Sequence, residues 1–195
     1  GKLFLCEYPY EGAVYFAGKE LQQLKKADRK GMVAYLGHDP ELFHDSVRDN
    51  VLLGDAKDLK TYLKAVCIDR EVAEMEEGED TLIGNGGVRL SGGQAQRVAL
   101  ARTLCHKKPL LVLDDPFSAL DKSTEKEVFS NVRAMTHDSI VLLLSHRLYL
   151  FPQMDQVIWM DEGKTTVGTH EELLQKVPAY AALFTTQEGE DSHEA

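Results

Sequence analysis

Two stretches of this chain carry residue types and spacings suited to holding a phosphate ester. Leu90-Ser91-Gly92-Gly93-Gln94 sets a hydroxyl and two residues without side chains where a helix begins. A helix mouth presents free N–H groups and a partial positive charge, a natural seat for an anion. The bland reading is a capping box of Ser91 and Gln94. It leaves the two glycines unexplained, since each costs up to about 1 kcal/mol in a helix against alanine. A helix's length later, Leu110-Leu111-Val112-Leu113-Asp114-Asp115 is an apolar strand ending in two carboxylates. Paired acids at the carboxyl end of a buried strand suit a hydrated magnesium ion beside phosphates. Asp114 is the expected metal ligand, and Asp115 is placed to polarise an attacking water. Together the two stretches point to a nucleoside triphosphate.

Further segments carry a chemical reading, a structural reading or both. Ser145-His146-Arg147 follows an apolar strand. If the strands are parallel, His146 stands at the same sheet edge as Asp114, within reach of a terminal phosphate. His38, in Gly37-His38-Asp39-Pro40, follows another such strand and reads equally as a turn residue or a site residue. Ser118-Ala119-Leu120-Asp121 reads as a helix start with an acidic cap. The acidic run from Glu71 to Asp80 reads as a solvated face.

The elements that position these residues come from periodicity. Strands are expected around Val14-Tyr15-Phe16, at Met32 to Leu36, Leu110 to Leu113, Ile140 to Leu144 and Val157 to Met160, each an apolar run of strand length. Helices are expected at Ala95 to Leu104, at Ser123 to Met135 and after the capping-box pattern of Thr169-His170-Glu171-Glu172. Between Glu41 and Gly84 helical spacing dominates (Leu59, Leu63 and Val66, then Val72 and Met75), with a capped start at Ser46. Apolar strands alternating with helices predict an α/β fold with a mainly parallel sheet covered on both faces, and an inserted α-helical subdomain. The segment from Gln187 to Ala195 is acidic and polar, which predicts a mobile tail.

The chain has 195 residues, enough for one domain with a small insertion, and carries 22 basic against 32 acidic residues for a net charge of -10. That balance excludes a dedicated nucleic-acid surface, which needs a basic face, and weighs against broad adhesion to an anionic membrane. Cys6, Cys67 and Cys105 show no metal-ligand spacing and read as buried or idle thiols of a reducing compartment. No apolar run approaches the roughly 20 residues that span a bilayer.

The motifs, in this order, resemble the nucleotide-binding domain of an ATP-binding cassette (ABC) transporter. Leu90 to Gln94 is similar to its signature letter for letter, Leu110 to Asp114 to its Walker B strand, Ser118-Ala119-Leu120-Asp121 to its D-loop and His146 to its switch histidine. Tyr8 to Gly12, Asp39-Pro40-Glu41-Leu42-Phe43 and Gly168 to Leu173 resemble the flanks of exporter-type members. Thr81 to Gly87 resembles the loop near the membrane domains.

The resemblance implies a P-loop NTPase-like fold with its core at about 1–38 and 96–185, a helical subdomain at about 41–95 and an acidic tail at 187–195. It implies ATP and Mg2+, with Ser91, Gly92, Gly93 and Gln94 on the nucleotide held by a second ABC ATPase domain. Asp114 and His38 are then on the metal, and Asp115, His146 and His38 at the chemistry. Ser118, Ala119, Leu120 and Asp121 belong to the dimer interface. Transmembrane domains outside this chain hold it at the cytoplasmic face of the cell membrane, and nucleic acid is not a partner.

The pattern is broken in three places. The glycine-rich loop ending Gly-Lys-Ser/Thr is incomplete: Gly1 and Lys2 are its candidate nucleotide-binding remnant, with Lys2 about five residues too close to Tyr8. An N-terminally incomplete domain is therefore expected. The catalytic glutamate is Asp115, and the magnesium-facing glutamine is His38. Two weakened positions beside an intact signature imply the slowly hydrolysing half of a heterodimeric exporter. A homodimeric exporter, an ABC ATPase of a non-transport process and an ATP-binding regulatory module without turnover are the other readings.

Overall fold

The computed structural model describes residues 11–16 and 18–193. They form two compact units, the larger ending at Leu144 and the smaller beginning at Ser145. The larger opens with an antiparallel ribbon of β1 (Tyr15–Phe16) and β2 (Lys19–Glu20), then α1 (Lys26–Met32) and β3 (Val33–Leu36). A mostly helical stretch follows: β4 (Asp45–Ser46), α2 (Val47–Leu52), α3 (Leu59–Ala65), α4 (Asp69–Ala73) and β5 (Leu82–Ile83). Here β4 and β5 pair antiparallel, a small sheet the helical periodicity did not announce. The signature helix α5 (Gly92–Cys105), β6 (Leu110–Asp114), α6 (Lys122–Met135) and β7 (Ile140–Leu144) complete the unit.

Its sheet has the order β3-β6-β7, parallel throughout, as the alternation of strands and helices predicts. Central β6 is apolar because both its faces are covered: Leu111, Val112 and Leu113 are buried. Helix α5 buries Val98, Ala99, Leu100, Ala101 and Leu104 and packs on α2 and α3. Strand β7 departs from expectation. Its five apolar residues predict burial on both faces, yet Ile140 is 64% and Leu144 40% exposed. Among the described strands β7 pairs with β6 alone.

The helical stretch is organised around Asn50, which has no solvent exposure. Its Oδ1 accepts from Phe43 N (2.9 Å), and its Nδ2 donates to the carbonyls of Phe43 (3.0 Å), Asp45 (3.2 Å) and Ser46 (3.0 Å). One side chain thus ties the loop after His38 to the start of α2. Ser46 caps α2 by accepting from Asp49 N at 2.9 Å, as expected. Asn50→Ala strands buried backbone groups of that loop and is expected to cost about 3 kcal/mol, read as a fall in thermal unfolding midpoint.

The smaller unit carries the antiparallel hairpin β8 (Val157–Asp161) and β9 (Lys164–Gly168), then α7 (His170–Lys176) and α8 (Pro178–His193). Glu162 and Gly163 turn the hairpin with φ of 45° and 76°, the left-handed pair that suits tight hairpins. Thr169 and Glu172 form the capping box at α7. Leu148, Val157, Leu173 and Tyr180 make its core. Buried Tyr180 shares a 2.7 Å hydrogen bond with His170 Nδ1, and burial pushes its hydroxyl pKa up to about 12. Helix α8 continues to His193, through the segment whose composition suggests a mobile tail. Gln187 makes that continuation useful: it accepts from Leu148 N (2.9 Å) and donates to His146 O (2.7 Å). Among the described residues no helix is long and apolar enough to cross a membrane.

Candidate functional site

The carboxyl end of β6 gathers the acidic pair. Asp114 closes the strand, and its Oδ2 accepts from the hydroxyl of Tyr35 on neighbouring β3 at 3.0 Å. Burial, then this bond, holds the Tyr35 hydroxyl above its ordinary pKa. Asp115 follows in the left-handed region, φ 49°, where aspartate is tolerated better than most side chains. Its N–H donates to Leu144 O (2.8 Å), and its carbonyl accepts from Gln96 Nε2 (3.2 Å) and Ser118 N (3.3 Å). Its Oδ2 lies 3.6 Å from His38 Nδ1, with the His38 side chain 57% and that of Asp115 16% exposed. The two positions that depart from the family pattern therefore face each other.

At the mouth of α5, Ser91 Oγ accepts from Gln94 N (3.2 Å) and Gln94 Oε1 accepts from Ser91 N (2.9 Å). The capping box is thus real, and it is tied further. Gln94 Nε2 donates to Glu71 Oε2 (2.8 Å), whose Oε1 lies 2.6 Å from Arg97 Nη1. Burial raises the Glu71 carboxyl, yet the bonds from Arg97 and Gln94 keep its pKa below the ordinary value. Glu71 is therefore a strut between α4 and α5, which corrects its reading as part of a solvated face.

The two glycines separate cleanly. A Cβ on Gly93 would stand 2.7 Å from Ala119 O, so this glycine is required by close packing within the chain. A Cβ on Gly92 would meet nothing within 4 Å among the described residues. The fold by itself gives no reason for a missing side chain there.

Asp121 caps α6, accepting from the N–H groups of Ser123 and Thr124 at 3.0 Å each, and these bonds hold its carboxyl well below the usual range. That is the structural reading of the Ser118 to Asp121 segment, in which Leu120 is buried and Ala119 faces Gly93. His146 belongs to the smaller unit, where Gln187 holds its carbonyl and Arg147 N donates to Ser145 Oγ (3.0 Å). Gly1 and Lys2 lie outside the described residues.

Among the described residues no three His, Cys, Asp or Glu converge on a metal position. Magnesium needs no such cage, because it keeps several waters and takes one or two carboxylates together with substrate phosphates. The Asp114–Asp115 strand end fits that habit. Tyr35, Gln96 and Glu71 are residues beside the site that pattern reading did not single out. Their one sequence signal is a polar residue inside an otherwise apolar or helical stretch.

An ATP-dependent lipid A-core flippase of Burkholderia pseudomallei is 34% identical over 188 residues, covering 94% of this chain and 32% of that protein. A probable multidrug resistance ABC transporter ATP-binding/permease protein of Bacillus subtilis is 34% identical over 200 residues, covering 96% and 34%. The solved structure of a bacterial Atm1-family ABC exporter with ATP bound superposes with a TM-score of 0.89 at 30% identity, over 96% of this chain and 34% of that one. The chain thus spans about a third of the length of these relatives. The family model described as ABC transporter matches residues 2–118, a span that takes in the helix mouth at Ser91 and the carboxylates at the end of β6 alike, and by that match the chain belongs to the ABC transporter family.

Proposed function

We propose that this chain is the ATP-binding and hydrolysing domain of an exporter, at the cytoplasmic face of a membrane that other domains span. It pairs head to tail with a second ABC ATPase domain. The mouth of α5 meets the terminal phosphate of a nucleotide gripped by that partner, and this chain's own carboxylates serve a second nucleotide. The observation that carries the reading is the open space over Gly92. A helix mouth with first-turn N–H groups free of intrahelical partners, and with no side chain in the way, admits an anion to contact distance. Exporter relatives over most of the chain support the transport assignment.

At this chain's own site Asp114 would hold a magnesium ion, which would supply charge neutralisation beside the phosphates. Asp115 orients the attacking water, with His38 Nδ1 3.6 Å from the Asp115 Oδ2; the family resemblance gives His146 the sensing of a terminal phosphate. Aspartate in place of glutamate draws the carboxylate back by about 1.5 Å. This site is therefore the slow one, while the capped signature completes the partner's site.

Gly92→Ala tests the reading, because structure and function should part there. The unfolding midpoint is expected to hold or rise, since alanine is the better helix former and the added methyl clashes with nothing. ATP turnover by the assembled transporter is expected to fall about tenfold or more, since displacement near 1 Å at a reacting phosphate can cost about a hundredfold. Unchanged turnover with unchanged stability would remove the phosphate from this helix mouth.

A further inference from the structure

Gln96 is 4% exposed, one turn inside α5, on a helix whose other buried residues are mostly apolar. A buried amide is costly unless its polar atoms are used. Its Nε2 donates to the carbonyl of Asp115 at 3.2 Å. Asp115 is the residue whose backbone most needs holding, because its left-handed φ of 49° is uphill for any side chain with a Cβ. Two backbone bonds help to define the turn: Asp115 N to Leu144 O at 2.8 Å and Ser118 N to Asp115 O at 3.3 Å. Gln96 adds a side-chain restraint, and it arrives from the helix capped by Ser91.

We propose that Gln96 is a positioning residue, whose amide clamps the left-handed backbone of Asp115 and so sets where the Asp115 carboxylate stands. One helix then serves two nucleotides: its mouth meets the partner's, and its second turn aims the carboxylate that serves this chain's own. This rests on the proposed role of Asp115, and the test keeps the two claims apart.

The test uses the full-length transporter with its partner domain and two readouts. The first is thermal unfolding in a double-mutant cycle of Gln96→Met with Asp115→Gly. Glycine adopts a left-handed φ without strain, so a clamp on it is redundant. Gln96→Met is expected to lower the midpoint by about 3 °C beside Asp115, and by less than half as much beside Gly at 115. A residue that merely packs would lose the same in both backgrounds, and additive losses overturn the proposal. The second readout is single-turnover hydrolysis at this chain's own site, with the partner's catalytic carboxylate neutralised. Gln96→Met is expected to lower kcat about tenfold while KM for ATP stays within about twofold. An unchanged kcat, or kcat and KM shifted together, overturns it. If Gln96→Met does not fold, Gln96→Asn, which keeps the amide but shortens its reach, is read by the same criteria. If Asp115→Ala leaves hydrolysis unchanged, the role given to Asp115 fails, while the stability cycle still decides whether the clamp exists.

Discussion

Ser91→Arg is expected to cut ATP turnover and transport by the assembled exporter at least about a hundredfold, the scale of a displacement near 1 Å at a reacting phosphate. The substitution acts at two levels. It removes the hydroxyl that accepts from Gln94 N at 3.2 Å, and it sends a long side chain across the open space over Gly92. Ser91→Ala separates them. Alanine loses the cap alone, at about 1 kcal/mol of stability, and leaves the approach clear. Turnover that falls steeply for arginine and modestly for alanine places a ligand at the helix mouth. Equal losses that track the unfolding midpoint would reduce the signature to a helix cap, and normal pumping by the arginine variant would end the proposed function outright.

Asp115→Glu is expected to raise turnover at this chain's own site about tenfold or more. The added methylene extends the carboxylate by about 1.5 Å, and misplacement near 1 Å is worth about a hundredfold. The left-handed backbone opposes part of this gain, because glutamate tolerates φ 49° less well than aspartate. A stability loss of about 1 kcal/mol should accompany the faster chemistry. Single-turnover hydrolysis with the partner present, together with thermal unfolding, checks both halves. A variant that hydrolyses no faster would mean that Asp115 already reaches its water. The asymmetric pairing would then give way to two equivalent sites.

What could be read in the sequence was local. Ser46, Ser91, Asp121 and Thr169 cap their helices as their spacing announces, because a cap and its N–H lie within three residues. The parallel order of β3, β6 and β7 also follows from alternating strands and helices. The contacts that tune the site are of another kind. Tyr35 on Asp114, Gln96 on Asp115, and Glu71 on Gln94 and Arg97 join residues far apart in the chain, and no period encodes them. Glu71 shows the difficulty best: within an acidic run it looks solvated, and only the arrival of Arg97 makes it a strut. Strand β7 shows the reverse error, since five apolar residues announce coverage that depends on what lies beside the strand.

The fit of Gly93 beneath the Ala119 carbonyl, at 2.7 Å from where a first side-chain carbon would stand, has an evolutionary corollary. Any drift that thickens the helix mouth must be answered by a shift of the chain after β6, and the reverse also holds. The two stretches are therefore constrained together: a substitution that adds bulk at residue 93 is tolerated only if the backbone at Ala119 gives way.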